Sequence, residues 1–500
     1  MTKPALALRL AAATALLSAA ACGTSVSGGS DAARPPAPRA SATSPAATSP
    51  AAAGPAGTGP AALGPSGGRS ATTAGPDVCP TRRAWATEVT ATGHVAWQVR
   101  LPTDAQQQGV VVQPLVVGGV GVFAEENAVY GIRLDDGREL WRRAFSKDVD
   151  SLAGAVYGMW PGAPGAVVVL TGQVTDDARL TELYPATGAA GWTLRLPAAG
   201  LLGSQALASG RTLAVLLPDG DLESVDLSTG RVLWSRDVGR SAGPAAVGPV
   251  IASGGSGLAS GYLGQGGGRA LWTARGLPSQ TNLTATAGVL LAWNNVQGGG
   301  ASAAVTALNP GTGRVEWSFD PGPPVTILGA GQAGIAFATY APARVYLVNQ
   351  ATGRVRWSAG AVAPAGNGNA DLGQFIVTGS QVVTVGSVAS STSIGLIVRS
   401  AASGRVQWSA PFGVDGGDGV NLALLPVAGG QAIVATTWQG TGRSTGLTVD
   451  RLATGRRLGS VTLPNLVMAP LTVAGTSVLA QSDSPACAVA APGTAAVPGG

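Results

Sequence analysis

From about residue 86 to about residue 493, short apolar runs alternate with clusters of Gly, Asp, Asn and Thr. The stretch 114–145 shows the grammar. Pro114-Leu115-Val116-Val117 runs into Gly118-Gly119, and Val120 to Ala124 runs into Glu125-Glu126-Asn127. A third run passes Val129, Gly131 and Arg133 to the turn Asp135-Asp136-Gly137, and a fourth carries Trp141. Apolar runs of about four to eight residues between such turns predict strands. The Asp-Gly and Thr-Gly pairs supply the left-handed turn geometry of a tight hairpin.

The unit repeats. Eight times a Gly is followed four residues later by a Trp: Gly93/Trp97, Gly137/Trp141, Gly188/Trp192, Gly230/Trp234, Gly268/Trp272, Gly313/Trp317, Gly353/Trp357 and Gly404/Trp408. A ninth copy at Gly455 carries Gly459 in place of Trp. Eight of the twelve Trp thus share one motif position, which chance does not produce. Successive motif glycines lie 44, 51, 42, 38, 45, 40, 51 and 51 residues apart. A period near 45 is that of a four-stranded propeller blade, so the expected fold is all-β.

The extended motif is seen in Val225-Asp226-Leu227-Ser228-Thr229-Gly230-Arg231-Val232-Leu233-Trp234 and again in Ala307 to Trp317. An apolar strand, Asp or Asn, Thr-Gly, a basic residue, two more and Trp resemble the pyrroloquinoline-quinone-like (PQQ-like) propeller repeat. The resemblance spans roughly residues 86–493. It implies that Trp97, Trp141, Trp192, Trp234, Trp272, Trp317, Trp357 and Trp408 dock neighbouring blades. A large aromatic can bury about 150–250 Å² at each contact. The family commonly has eight blades, and the short 234–268 unit reads as incomplete or merged. The expectation is therefore eight blades of four antiparallel strands, with seven or nine as alternatives. The stretch 470–490 holds three strand-like runs without a fourth, and 91–102 a fourth-strand motif without the three before it. The two termini are therefore expected to close one blade together.

The N-terminal 78 residues break the pattern. Lys3 and Arg9 flank the start, and the apolar stretch Leu10 to Ala21 is too short to span a bilayer, which takes about 20 residues. Ala19, Ala20 and Ala21 precede Cys22, which resembles a bacterial lipoprotein signal with Cys22 as the lipidated residue. Ala19 stands where such signals carry Leu, so an ordinary cleaved signal is the alternative. Residues 22–78 are almost entirely Ala, Pro, Ser, Thr and Gly, and read as a disordered tether. A chain of that length spans on the order of 40 Å. The expected organisation is a signal at 1–21, the tether at 22–78, a propeller at 79–493 and a disordered tail at 494–500. Cys79 and Cys487 remain as an even pair in an exported chain, which predicts a disulfide.

Composition narrows the chemistry. Only 11% of residues are charged, against 45% hydrophobic. Of the net charge of +5, residues 1–80 carry +3 and the remaining 420 residues only +2, so no concentrated basic face marks a nucleic-acid binder. His94 is the only His, and it occupies a turn position where other copies carry Arg. That scarcity removes most metal chemistry and most His-dependent catalysis, and an exposed turn residue is the expected role of His94. Gly329-Ala330-Gly331-Gln332-Ala333-Gly334 fits a dinucleotide fingerprint, but strand-like residues follow it, so a strand-to-strand turn is expected. Asp415-Gly416-Gly417-Asp418-Gly419 lacks the further ligands of a calcium loop. Asp135-Asp136, Asp176-Asp177 and Asp219-Gly220-Asp221 fall at turns, where Asp is favoured for backbone reasons. The adjacent pairs are expected to point apart.

The family resemblance also admits a quinoprotein dehydrogenase using PQQ and Ca²⁺, with an adjacent Cys-Cys ring and a catalytic Asp. No adjacent cysteines exist in this chain. The function expected is a lipid-anchored extracytoplasmic scaffold, monomeric and without cofactor, that binds a protein or small ligand at the cell surface. Trp160 and Trp438, outside the docking motif, are the aromatic candidates for contact; Trp85 and Trp293 read as packing residues.

Overall fold

In a computed structural model, the described residues lie within 83–484. Segments 103–111, 147–154, 173–177, 198–205, 240–242, 279–280, 287, 295–303, 324, 341–342, 361–374, 389–392, 416–418, 439–444, 464–466 and 469–470 lie outside the description. The expectations placed on Cys22, Cys79, Cys487, Asp176-Asp177, residues 1–78 and residues 494–500 also fall outside it.

The described residues form strands and turns without helix, in nine antiparallel sheets. Eight sheets are sequential, and they are numbered here as blades 1 to 8. They span 115–144, 156–195, 206–237, 244–275, 281–319, 325–360, 376–415 and 419–463. First strands of neighbouring blades touch one another, so the first strand is innermost and the fourth, Trp-bearing strand outermost.

The expectation of eight blades is corrected to nine. The short 234–268 interval does not mark a degraded unit. Blade 4 is a full sheet of Pro244–Val247, Val250–Gly255, Leu258–Leu263 and Ala270–Arg275. Its turns are simply tight, such as Gly248-Pro249 and Ser256-Gly257. Motif spacing reports loop length as much as strand content.

Blade 9 draws on both ends of the described chain. Arg83–Thr90 pairs with Val95–Leu101 on one side and Ser477–Ser484 on the other, and Val467–Met468 and Thr472–Ala474 both pair with Ser477–Ser484 to complete five strands. The N-terminal segment therefore supplies two strands to this sheet, not the single motif strand that the sequence suggested.

Nine clusters of buried side chains lie between neighbouring blades. Leu396 and Val398 of blade 7 meet Ile433 and Ala435 of blade 8. Val89 and Val478 of blade 9 meet Leu425 and Val449 of blade 8. Trp97 and Leu479 of blade 9 meet Phe123 and Tyr130 of blade 1. Reciprocal bonds reinforce that last junction: Gln113 Nε2 donates to Leu471 O at 3.2 Å, and Thr472 Oγ1 to Pro114 O at 2.6 Å. Middle strands are buried on both faces, as in Val120–Glu125 and Val167–Thr171, which explains their unbroken apolar runs.

Candidate functional site: the motif turns and the face they form

Each motif is one turn, and its residues have separable roles. In blade 5, Asn309 Oδ1 accepts from the N–H groups of Gly311 and Thr312 and from Thr312 Oγ1. Gly313 N donates to Asn309 O at 2.8 Å, and Asn309 N donates to Arg314 O at 2.9 Å. Asp226 and Asn349 use their carboxylate and amide oxygens in the same way. The Asp/Asn-x-x-Thr-Gly signature is thus an Asx turn that feeds a left-handed glycine. All nine motif glycines have φ between 67 and 76°.

The same glycine has a second function. A Cβ on Gly404 would lie 2.7 Å from Trp357 Cδ2, and one on Gly137 2.6 Å from Trp97 Cγ. The Trp of each blade lies on the motif glycine of the next. Its indole then donates to a carbonyl of that next turn. Trp97 Nε1 bonds Leu134 O at 2.9 Å, Trp317 bonds Gln350 O at 2.8 Å, and Trp408 bonds Leu452 O at 2.8 Å. Trp141, Trp192, Trp234, Trp272 and Trp357 reach Pro185, Leu227, Leu263, Pro310 and Ala401 in the same manner.

A β-bulge sits just before the Trp position in every blade. In blade 3 the register passes from Ser224↔Trp234 to Val225↔Val232, which leaves Leu233 as the extra residue. In blade 8 it passes from Val449↔Gly459 to Asp450↔Arg457. A bulge bends the strand and re-aims the next side chain, here toward the neighbouring blade. Nothing in the motif's spelling announces the bulge; only the pairing register reveals it.

The junction between blades 8 and 9 is built differently. Gly459 and Gly93 meet backbone to backbone, and a Cβ on Gly93 would lie 2.6 Å from Gly459 Cα. The missing ninth Trp therefore corresponds to a junction with no room for one.

Electrostatics at the motif end are mostly local. Arg133 pairs with Asp135 at 2.6 Å and with Asp136, and this holds the Asp136 carboxyl down at about 2. The two carboxylates were expected to point apart, but the turn curls both onto one guanidinium. Hydrogen bonds from Ser228 hold Asp226 low. Arg457 lies 2.5 Å from Asp450, yet burial dominates and keeps that carboxyl above its ordinary range. Burial lowers Arg399, whose guanidinium reaches Gly404 O and Gly360 O. Burial also raises Glu223, with Asp221 and Asp219 adding to the effect, and pushes Tyr130 up to about 12.

Trp160 is half-buried in an inner strand and packs against the cluster between blades 2 and 3. Trp438 ends Gly430–Trp438, opposite Gly419. The structure does not bring Trp160 and Trp438 to one blade. Trp293 joins the cluster between blades 5 and 6 and donates to Thr284 Oγ1 at 3.1 Å. His94 is exposed in its turn. Gly331 pairs with Gly334 across a two-residue turn, so the fingerprint-like segment is a hairpin.

The inner strands bear on the quinone alternative. Among the described residues, Leu115–Val117, Val156–Pro161, Ala206–Ser209, Pro244–Val247, Thr281–Thr286 and Gly419–Val427 contain no charged side chain. The same holds for Val325–Gly331, Ile376–Val377 and Thr472–Ala474. No group of three His, Cys, Asp or Glu side chains among the described residues is placed to hold a metal. A calcium–quinone centre needs carboxylate ligands near the axis. The described inner strands do not fit one.

Fold and repeat together define a PQQ-like β-propeller. The family model described as "Outer membrane protein assembly factor BamB" matches residues 82–295 and 301–495. The chain belongs to that family. No curated protein matches it. Among solved structures, BamB from Moraxella catarrhalis is 14% identical, covers 76% of this chain and 99% of its own, and has a TM-score of 0.41. Quinohemoprotein alcohol dehydrogenase from Comamonas testosteroni is 12% identical, with 76% and 75% covered and a TM-score of 0.40. A structure titled as the eukaryotic initiation factor is 10% identical, covers 80% and 98%, and reaches 0.52, a likeness of fold alone.

Proposed function

We propose that this chain is an exported, non-catalytic propeller that acts as a protein-binding scaffold. The observation that carries this is the distribution of chemistry. The described inner strands are uncharged, while the described charged side chains lie on the other strands and the turns, and most exposed large apolar side chains lie at the motif end. Membership of a family described as an assembly factor supports the same role. The eight motif Trp are blade-docking residues in this proposal, and the terminal strands paired in blade 9 close the ring. Residues 1–21 act as the export signal, Cys22 carries the lipid, 22–78 is the tether, and Cys79 and Cys487 form a disulfide near the closure. Trp160 and Trp438 remain candidate ligand contacts.

Crosslinking in the native cell, followed by identification of linked proteins, tests the scaffold. A reproducible protein partner is expected. Turnover of an alcohol or sugar by protein loaded with quinone and Ca²⁺, with no partner captured, would overturn it. Cys22→Ala should release the protein into the medium, and continued membrane retention would reject the anchor. Non-reducing peptide mapping should join the Cys79 and Cys487 peptides; finding both as free thiols would reject the disulfide.

A further inference from the structure

The residue after the motif glycine is Arg in seven copies, and the fold brings these arginines to one end of the propeller. Six occupy successive blades: Arg231, Arg269, Arg314, Arg354, Arg405 and Arg456. Arg138 stands in blade 1 and His94 takes the position in blade 9. All six successive side chains are exposed, and none of their guanidinium groups makes a hydrogen bond or ion pair among the described residues. The sequence spreads this charge along the chain; the propeller collects it. Sheets pack roughly 10 Å apart, so six successive turns extend over on the order of 50 Å of rim.

Most acidic groups at this end are already engaged. Asp135 and Asp136 lie on Arg133, Asp226 caps its own turn, Glu316 accepts from Asn309, and Asp450 lies on Arg457. Glu139 is the exposed exception. The first-to-second-strand turns at the same end, such as Gly118-Gly119 and Gly248-Pro249, carry no acid. Half-buried Glu126 and exposed Asp219, Asp237 and Asp320 instead stand at the opposite end, at or just beyond the strand ends.

Apolar exposure follows the same division. Val232, Val315, Val355 and Val406, one residue beyond the arginines, are 41%, 57%, 46% and 50% exposed. Of the exposed large hydrophobic side chains among the described residues, Leu258 alone stands at the other end. Single exposed valines need no explanation, but their concentration beside a row of free arginines marks an interaction surface. Interfaces between proteins are enriched in Arg, and their buried core is more apolar than the rest of the surface. Strand Arg83–Thr90 begins at the opposite end and runs to the motif turn at Gly93.

We propose that the motif end of the propeller docks an acidic protein surface, through the six successive turn arginines and the valines beside them. This rests on the scaffold proposed above and names its partner's chemistry. Arginine would supply charge-assisted hydrogen bonds to carboxylates, and the valines would exclude water around them.

The probes are poly-L-glutamate, a glutamate–tyrosine copolymer and phosphatidylglycerol vesicles. The full chain should bind both polypeptides, the copolymer more tightly, and weaken as salt rises from about 0.01 to about 0.15 M. Combining Arg314→Ser, Arg354→Ser and Arg405→Ser should cost roughly ten-fold in affinity, while Arg100→Ser with Arg275→Ser at the other end changes little. Val315→Thr with Val355→Thr should erase the preference for the copolymer. Equal losses from both arginine sets would overturn the proposal. So would binding to vesicles alone with the same arginine dependence, which would assign the face to lipid headgroups. In the cell, a photocrosslinker placed at Arg354 should capture a protein, competed by the copolymer. Capture only from position Asp320 leaves the scaffold standing and sinks this face; capture from neither sinks both.

Discussion

The Trp357 indole donates to Ala401 O at 2.9 Å, and its ring covers the backbone of Gly404. One side chain thereby joins blade 6 to blade 7 by a hydrogen bond and by packing that only glycine permits. The relationship recurs around the blades and sets several expectations.

Trp357→Ala should cost about 3–5 kcal/mol, the range for truncating a buried aromatic. Trp357→Phe keeps most of the packing but leaves Ala401 O without its donor, and should cost about 1–2 kcal/mol. Denaturant unfolding measures both. A Phe variant as stable as the unaltered protein would mean that the indole bond contributes nothing.

Gly404→Ala combines two penalties. The backbone has φ 70°, and the new Cβ would press on Trp357. A loss of about 2–4 kcal/mol is expected from strain and overpacking together. Gly210→Ala, with φ 60° and nothing within 4 Å of the added carbon, should show only the strain. If the two variants unfold at the same denaturant concentration, the close approach of the Trp is not what selects the glycine.

Gly459→Trp would restore the repeat's consensus, yet it should destabilise. The position faces Thr92 O and Gly93 Cα, which lie too close for any Cβ. A loss of about 3 kcal/mol, or failure to fold, is expected. A stabilised variant would show that the 8–9 junction can open to accept an indole.

Glu223 is 8% exposed, and burial raises its pKa. The folded state therefore holds its proton to higher pH than the unfolded chain. Its contribution is fully present below the unfolded value of about 4.3 and is lost as pH rises through the folded pKa. Glu223→Gln should raise Tm near neutral pH, and the difference should shrink below about pH 4. A Tm below that of the unaltered protein at neutral pH would indicate that the carboxylate has a stabilising partner.

The motif's spelling made the turns legible. Asn309, Thr312 and Gly313 have local roles within six residues, and local hydrogen bonding is what sequence encodes most directly. The bulge at Leu233 was not legible, because a bulge exists only in relation to the partner strand. Nor was the pairing of both Asp135 and Asp136 with Arg133, which depends on how the turn curls. The arginine-rich face was invisible for a similar reason. Arg231 and Arg456 are 225 residues apart in the chain, and only the radial repetition of blades brings them to one end.

By itself, the sequence determined the all-β class, the blade as the unit and the Trp–Gly motif that joins units, because alternation and turn chemistry act over a few residues. The tertiary structure decided that there are nine blades. It also decided that residues 83–101 and 472–484 share a sheet. Blade number depends on whether each interval supplies four paired strands, and pairing is settled by hydrogen bonds between segments that spacing along the chain does not specify.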